Sequence, residues 1–518
     1  MFLITTLLTA LHGVSASLPS DSTALDSAWA GYARAAWVSI GRRGIGTLAG
    51  LQWDSTAADW KPMANWHKAD NVGADAYFIE VQLRSYLALA TGTGDTKSLD
   101  EVAKYFRAYL IRFTTVKDIQ AASAQTGGKS KLLPQGPSTD RTLAWKDIRG
   151  PTISWPAECI LCNSQFLHPA ARLVHLIAEL PAGQRTPDEV AFVHDYMPLL
   201  VKEHLIRIGY ETHFPYDVKG AQDDHLIALW QSALAGHAKY RYLDRDLWLI
   251  GAGAELLEAH RLDPNLVNLQ GEDDRLRRLV TVGVKLLAAN RQHHPRTKNL
   301  QGRVVGSDGY FEGDFDDHED YTYSAYLGSD YPAGRPEQRA HGVSWDVSHI
   351  QRLPVVLRSL WDSRVALRQL GLTYPDSTDL VQATNQLMYV VFNGDFRAPL
   401  LTNYFNGTDG WYRVGYRSRD GYGMPPSRYC NSQNPKQPCL TRNGLRGWGQ
   451  LAFANPDLGR LIQAVITGAK ESSTDAVSYR QRVLSVGDDP TEWLSDPPQS
   501  YSQELSLLIS EYALGTRP

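Results

Sequence analysis

Residues 75–90 of the chain are DAYFIEVQLRSYLALA, and this stretch predicts the kind of fold. Its apolar residues recur at spacings of three and four, which places them on one face of an α-helix. They are Ala76, Ile79, Leu83, Tyr86, Leu87 and Ala90. Outward from this stretch, similar patterns predict helices over residues 21–40, 98–115, 163–180, 187–208, 222–241, 243–260, 272–290, 338–362, 376–392, 456–468 and 501–514. Strand signals are sparse, the best being residues 411–416, so the sequence predicts an all-α protein.

The succession of these helices indicates how they pack. Because the predicted helices show neither a heptad repeat nor a repeat of fixed length, a coiled coil and a solenoid of identical units are excluded. The remaining compact arrangement is a set of helical hairpins closed into a ring. The connections over residues 125–141, 301–339 and 403–446 are long, and long loops on a rigid scaffold commonly carry sites. No hydrophilic linker divides the chain, so we expect one domain over residues 17–518.

The composition is that of an ordinary globular protein. Hydrophobic residues make up 43% and charged residues 21% of the 518 residues, which excludes disordered and collagen-like chains. The chain has 52 Lys and Arg against 56 Asp and Glu, and its net charge is -4. Because a nucleic-acid-binding protein needs a basic surface, we expect no nucleic-acid partner.

The first residues of the chain, MFLITTLLTALHGVSA over residues 1–16, predict export. An apolar run over residues 2–11 is followed by Val14, Ser15 and Ala16, which suit signal peptidase. The run is too short to span a bilayer, which takes about 20 apolar residues. No Lys or Arg precedes it, so a buried N-terminal helix is the alternative. We expect a signal peptide, a secreted or periplasmic protein, and no membrane span.

The four cysteines fit an oxidising compartment. Cys430 and Cys439 bracket a polar loop rich in turn-forming residues, which is typical of a local disulfide. Cys159 and Cys162 form a CxxC pair, for which redox activity and zinc binding are the alternatives. Zinc needs two further ligands, and the chain has no second CxxC, so we predict structural disulfides for both pairs.

Three helix starts carry a resemblance to a known group of enzymes. They are NSQFLHPAARL over residues 163–173, QDDHL over residues 222–226 and RAHGVSWDVSH over residues 339–349. Polar or histidine residues followed by an apolar run resemble the inner-helix starts of the six-hairpin (α/α)-toroid carbohydrate-active enzymes, which include glycoside hydrolases and polysaccharide lyases. The resemblance implies an (α/α)6 toroid, a funnel at one end lined by inner-helix N-termini, and a polysaccharide or oligosaccharide substrate.

The densest cluster of reactive groups is GYFEGDFDDHEDY over residues 309–321. A glycosidase needs one protonated and one ionised carboxyl across the bond it cleaves, and crowded acids raise one another's pKa. We therefore assign Asp314 and Asp317 as candidate catalytic acids, with Asp224 at another helix start as a third. Capping is the alternative for Asp223 or Asp224. A calcium site, a magnesium-binding DDxxD motif and a solvated acidic surface are alternatives for the cluster. We expect no cofactor, with calcium left open.

A second candidate group lies in residues 341–349, HGVSWDVSH. If this segment is helical, His341, Trp345 and His349 repeat every four residues along one stripe, with Asp346 beside them. Histidine transfers protons near neutral pH, and tryptophan stacks on sugar rings. We assign His341 and Asp346 to catalysis and Trp345 and His349 to substrate binding. The alternative is a helix cap with core histidines packed against the tryptophan.

The loop over residues 403–446 supplies the remaining candidates, Tyr404, Trp411, Tyr412 and Arg413, which combine stacking and hydrogen-bonding groups. A polysaccharide lyase needs a Tyr or His base and a group that neutralises a uronate carboxylate, and Tyr404 and Arg413 suit these roles. Such residues are also common in ordinary surface loops.

Hydrolysis of a polysaccharide or oligosaccharide by paired carboxylates is the preferred interpretation. Elimination from a uronate polymer is the first alternative, and a non-catalytic glycan-binding protein is the second. The sequence has no GxSxG, Walker, HExxH or dinucleotide motif, which disfavours serine hydrolases, NTPases, zincins and Rossmann enzymes.

Overall fold

The structure is a computed structural model. It describes residues 27–64, 73–110, 146–147, 157–158, 160–212, 225–237, 242–298, 304–311, 321–332, 343–414, 423–430, 440–468 and 497–518. The expected signal peptide over residues 1–16, together with Cys159 and Cys439, lies outside these ranges, so export and both disulfide pairings stay predictions. Within them, no helix has the length and apolar character needed to cross a membrane.

The described part of the chain is mostly helical, which confirms the all-α class. Its α-helices are α1 (Ser27–Ala36), α2 (Arg42–Ala49), α3 (Gly73–Thr93), α4 (Lys97–Leu110), α5 (Ile160–Glu179), α6 (Pro187–Pro198), α7 (Leu226–Leu234), α8 (Asp244–Leu262), α9 (Asp273–Ala289), α10 (Val347–Ile350), α11 (Arg352–Asp362), α12 (Arg364–Gln369), α13 (Ser377–Gln386), α14 (Thr441–Leu445), α15 (Pro456–Gly468) and α16 (Pro497–Gly515). π-Helical segments Trp37–Gly41, Leu199–Glu211 and Leu387–Val391 continue α1, α6 and α13, and Trp448–Ala454 is a 3-10 segment.

Short antiparallel hairpins make up the strand content of these ranges. β1 (Leu51–Asp54) pairs with β2 (Asp59–Pro62), β3 (Lys146–Asp147) with β4 (Ala157–Glu158), and β5 (Arg291–Lys298) with β6 (Val304–Phe311). The last hairpin was not predicted, since β6 falls where we expected a long loop. Of the predicted strand over residues 411–416, the structure describes residues 411–414, and there Tyr412 forms an isolated bridge to Met424.

Six elements of the described part form an inner layer, in which each packs against the next along the chain. They are α3, α5, α8, α10 with α11, the Trp448–Ala454 segment, and α16. The last of them, α16, packs against the first, α3. Buried apolar side chains from Ala33 to Ala513 form one continuous core around and between these elements.

Two contacts show that α8 and α11 run in the same direction. At their first turns, Arg352 Nε lies 3.7 Å from Asp244 Oδ2. Towards their other ends, the backbone N–H of Ala366, just after α11, donates to Oε2 of Glu258, in the last turns of α8, at 2.8 Å. In the same way, α3 and α16 bring their C-terminal turns together, because a Cβ on Gly92 would lie 2.5 Å from the Ala513 carbonyl carbon. The N-termini of α8 and α11 therefore lie near each other, and so do the C-termini of α3 and α16.

An outer layer of helices covers the inner one. α1 packs on α16 and α3, α4 packs on α3 and α5, and α9 packs on α8. α13 and α15 pack on the Trp448–Ala454 segment, and α15 also contacts α16. Inner and outer helices therefore alternate along most of the chain, which is the connectivity of successive helical hairpins.

A buried ion cluster joins the first and last inner helices. Arg84 Nε donates to Glu80 Oε1 at 2.6 Å, and Arg84 Nη1 is paired with Glu511. Gln165 Nε2 donates to Glu80 Oε2 at 3.1 Å, and the Gly447 N–H donates to Glu511 Oε2 at 2.7 Å. One arginine is thus shared by two buried carboxyl groups.

This cluster predicts a pH dependence of stability. Burial raises the pKa of Glu511 from 4.5 to about 7, although Arg84 and the Gly447 N–H lower it; Glu80 adds to the rise and Arg446 opposes it. A carboxyl whose pKa is higher in the folded than in the unfolded protein contributes its full stabilisation below the unfolded-state pKa. That contribution is lost as the pH rises through the folded-state pKa. We expect the free energy of unfolding to receive a falling contribution between pH 4.5 and about 7.

Urea unfolding of the wild type and Glu511→Gln across this pH range measures that contribution. Burial also lowers the pKa of His168 to about 4 and that of His204 to about 3, and these two histidines make the free energy of unfolding rise with pH. Because they are present in both proteins, the difference between the two unfolding profiles is the quantity to measure. Glu511→Gln should remove the falling part of the profile. Parallel profiles for the two proteins would contradict the assignment.

Candidate functional site

Asp346 determines where the third predicted helix start becomes helical. Its side chain accepts from the backbone N–H groups of Ser348 at 3.0 Å and His349 at 3.2 Å, which caps α10. The helix therefore begins at Val347 and not near residue 338. The predicted helical stripe of His341, Trp345 and His349 is wrong, because Trp345 precedes the cap and the Asp346 backbone is extended. His341 lies outside the described residues.

The same carboxylate holds the imidazole of His349. The Nδ1 of His349 lies 2.6 Å from Asp346 Oδ2, and the Tyr321 hydroxyl donates to this oxygen at 2.8 Å. The Ser348 hydroxyl donates to Oδ1. Burial raises the pKa of Asp346, but His349 and the Ser348 hydroxyl outweigh burial and hold that pKa well below its usual range. Asp346 is therefore a carboxylate that only accepts hydrogen bonds.

This arrangement assigns the tautomer of neutral His349. Because Asp346 only accepts, His349 Nδ1 carries the proton and Nε2 carries the lone pair. No group in the described ranges hydrogen-bonds to Nε2, and the side chain of His349 keeps 23% of its surface exposed. An imidazole held by a buried carboxylate, with an accessible Nε2, is the arrangement of a general base.

Aromatic rings surround this pair. The indole of Trp345 stacks on the His349 ring, with centroids 5.9 Å apart and planes 13° apart. The rings of Tyr321 and Tyr412 meet edge to face at 5.5 Å, and Tyr412 Oη lies 3.3 Å from His349 Nδ1. Burial and the neighbouring Asp346 raise the pKa of Tyr321 well above its ordinary value, so its hydroxyl stays protonated.

Three separate segments meet to build this cluster. The Val347 N–H donates to the Asn403 carbonyl and the Phe405 N–H to the Trp345 carbonyl, both at 3.0 Å, which docks the 403–414 loop on the start of α10. The loop is also docked on the 321–332 segment. Gly410 permits this contact, since a Cβ there would lie 1.2 Å from the Ser324 carbonyl oxygen.

Cationic side chains flank the pair. Arg413 is half-buried, its guanidinium carbon lies 5.2 Å from the centre of the Tyr412 ring, and its charge helps to lower the pKa of Asp346. Its φ of 57° is uncommon for a residue with a side chain, and such strain often accompanies functional sites. Arg352 follows His349 by three residues, and its guanidinium carbon lies 5.7 Å from the centre of the Tyr77 ring.

The cluster lies at the end where the inner helices begin. Tyr77 belongs to the first turn of α3 and is 37% exposed. Tyr242, just before α8, packs edge-on against Trp345 at 5.7 Å. The N-terminal ends of α3, α8 and α10 therefore converge at one end of the molecule, which we call the mouth. Tyr77 and His349 lie at its surface, and the buried Tyr242 lies beneath them.

The structure corrects the role expected of four aromatic residues. Trp345, Tyr404, Trp411 and Tyr412 are each no more than 4% exposed. Tyr404 donates its hydroxyl to the Trp411 carbonyl at 2.7 Å, and the Trp411 indole N–H donates to the Gly328 carbonyl at 2.7 Å. Their rings pack within the core beneath the mouth and present no open face to a sugar.

Four of the candidate catalytic residues lie outside the described part of the chain: Asp224, Asp314, Asp317 and His341. The possible calcium site also falls there. Among the described residues, no group of three His, Cys, Asp or Glu is arranged to hold a metal ion. Sequence reasoning did not assign roles to Tyr321 or Arg352. Tyr321 was visible as the last residue of the acidic cluster, and Arg352 as a cation one helical turn after His349.

Tyr321→Phe tests whether the Tyr321 hydroxyl stabilises the buried Asp346 carboxylate. A hydrogen bond to a charged group contributes about 1.5–3 kcal/mol, so we expect the free energy of unfolding to fall by that amount. His349 keeps its own contact with Asp346, so its position should change little. Tyr429→Phe, an exposed tyrosine that is 39% accessible, is the matched control. Equal unfolding midpoints for both variants in urea would contradict this role.

Comparison with known proteins adds nothing to this geometry, since no family model, curated protein or solved structure matches the chain.

Proposed function

We propose that the chain is an (α/α)6 toroid with a single domain. The support is the order of contacts in the inner layer, in which α3, α5, α8, α11, the Trp448–Ala454 segment and α16 follow one another and α16 returns to α3. Parallel inner helices with antiparallel outer partners are what six successive hairpins produce. The mouth at the inner N-termini is then the funnel that the sequence resemblance implies.

We further propose that the chain cleaves a uronate-containing polysaccharide or oligosaccharide by elimination, with His349 as the base. The observation that carries this proposal is His349 itself, whose Nδ1 is held by Asp346 and whose Nε2 has no hydrogen-bond partner in the described ranges. Cations beside it suit the carboxylate that such a substrate carries.

In the proposed reaction, His349 Nε2 removes the proton next to the uronate carboxylate. The C–H electron pair forms the new C=C bond, and the bond to the glycosidic oxygen breaks. Asp346 stabilises the imidazolium, as a buried carboxylate does for a catalytic histidine. Arg413 neutralises the substrate carboxylate, which makes the proton easier to remove. Protonated His349 then returns its proton to the departing oxygen, so the proton balance closes.

Elimination is favoured over hydrolysis because the carboxylate beside His349, Asp346, does not suit acid catalysis. Hydrolysis requires a carboxyl that is protonated at the start, whereas Asp346 is ionised and fully hydrogen-bonded. Hydrolysis through Asp314, Asp317 and Asp224 remains the competing hypothesis, as does a glycan-binding protein without activity. An exported protein meets such a substrate outside the cell, which fits the predicted signal peptide.

The test is a screen of the purified full chain against neutral and uronate polysaccharides, with reducing ends and ultraviolet absorbance measured together. Absorbance from an unsaturated uronate, appearing with the reducing ends, is the expected result. Reducing ends without absorbance would replace elimination by hydrolysis. Thermal shifts without turnover would favour the binding protein, since a ligand that binds only the folded state stabilises it. A parallel screen with EDTA tests whether calcium takes part.

A further inference from the structure

A cavity of about 210 Å³ lies at the end of the molecule opposite the mouth. Its polar lining consists of His260, Arg261, Arg277 and Gln369, and Leu257 and Leu370 contribute to its apolar wall. We call it the basic pocket. It lies at the last turn of α8, whereas the first turn of the same helix reaches the mouth. A helix of 19 residues rises 1.5 Å per residue, so the two places are about 25 Å apart.

The charges around the basic pocket are unevenly paired. Arg261 donates to Glu258 at 2.5 Å, but its Nε–H is buried without a hydrogen-bond partner. His260 Nδ1 donates to the Val267 carbonyl at 2.8 Å, and its Nε2 lies 3.8 Å from Asp273. Arg277 is half-buried, and no acid of the described ranges lies within ion-pair distance of it. The lining contains no acidic side chain.

Arg277 has no acidic partner among the described residues, and it lines a concave site with an apolar wall where an anion can pair with it. The guanidinium of Arg277 is partly removed from water, and the buried Arg261 Nε–H is a donor without a hydrogen-bond partner. A planar or tetrahedral oxyanion satisfies both, because guanidinium groups bind carboxylate, sulfate and phosphate through paired N–H donors.

We propose that the basic pocket binds a small oxyanion, either free in solution or as the charged group of an acidic saccharide. Arg277 supplies the uncompensated charge, and the Arg261 Nε–H supplies a directed donor. The apolar wall of Leu257 and Leu370 accommodates the carbon atoms of an organic anion. This site is independent of the reaction at His349 and does not rest on the proposed function.

The experiment is thermal unfolding of the full chain in sodium sulfate, sodium phosphate or sodium glucuronate, each against sodium chloride at equal ionic strength. We expect a saturable rise in Tm with at least one oxyanion and none with chloride. Response to sulfate or phosphate identifies a free ion as the source, and response to glucuronate alone identifies a saccharide. Calorimetric titration of the same anion then gives the affinity.

Variants separate the pocket from general salt effects. Arg277→Ala should weaken binding by about ten- to a hundredfold, the loss expected for one charge-assisted contact. Gln369→Trp, made at an exposed position, should fill the cavity and weaken binding similarly. Arg278→Ala is the matched control, because Arg278 is exposed and donates to Gln231 at 3.1 Å, away from the pocket lining. Unchanged affinity in Arg277→Ala, an equal loss in Arg278→Ala, or the same response to chloride would overturn the proposal.

Discussion

His349→Ala should abolish turnover of the uronate polymer, with kcat falling by about 10²–10⁴-fold, the usual contribution of a positioned general base. The expectation follows because Asp346 holds the imidazole of His349 and because no group in the described ranges forms a hydrogen bond with His349 Nε2. Asp346 keeps its hydrogen bonds from Tyr321, Ser348 and the first N–H groups of α10, so removing the partly exposed His349 should leave a folded protein. Initial rates of absorbance change, together with a urea unfolding curve, measure both expectations.

Two further variants make this prediction specific. Asp346→Asn should lower kcat strongly while KM changes less, because an amide supports the wrong tautomer and does not stabilise the imidazolium. His194→Ala, an exposed histidine on α6, is the matched control and should keep wild-type activity. Full activity in His349→Ala on a substrate that the wild type cleaves would remove His349 from the mechanism and return attention to Asp314 and Asp317.

Arg84→Ala should be the most destabilising single substitution among those considered, by about 3–5 kcal/mol. Arg84 is 7% exposed and is paired with both Glu80 and Glu511, which are 1% and 0% exposed. Truncation leaves two buried carboxyl groups without the arginine that pairs with both, at the contact between the first and last inner helices. Chemical unfolding monitored by tryptophan fluorescence measures the change.

Matched variants distinguish lost charge compensation from lost packing. Arg43→Ala removes an exposed arginine from α2 and should change stability by less than about 0.5 kcal/mol. Arg84→Met combined with Glu80→Gln and Glu511→Gln should recover much of the loss, because an uncharged cluster needs no compensation. If the triple variant were as unstable as Arg84→Ala alone, packing and not charge would explain the effect.

The helices were predictable because their signal is local. In α3 the residues spaced by three and four, among them Ala76, Ile79 and Leu83, are buried as expected. Helix ends were less predictable, as α10 shows. Its apolar and polar spacing extends upstream of Val347, but the Asp346 cap begins the helix there. A cap depends on the backbone conformation of one residue, which periodicity does not encode.

The sequence predicted which residues belong to the candidate site, but it did not predict the role of each residue there. Trp345, Asp346, His349, Tyr404, Tyr412 and Arg413 were selected as polar and aromatic residues at a helix start and in a long loop. The structure brings them together through the 403–414 loop. It also buries most of the aromatic rings beneath His349. The same residue types serve a sugar-binding surface or a core, and burial alone distinguishes the two.

The sequence by itself determined that the chain is built from amphipathic helices and where most of them lie, since a helix face is decided by neighbours three and four positions apart. Only the tertiary structure decided that Tyr321 and His349 share one carboxylate, that Arg84 serves Glu80 and Glu511, and that Arg277 has no acidic partner in the described ranges. These relationships join segments far apart in the chain. They depend on how whole helices and loops pack, and no local spacing records them.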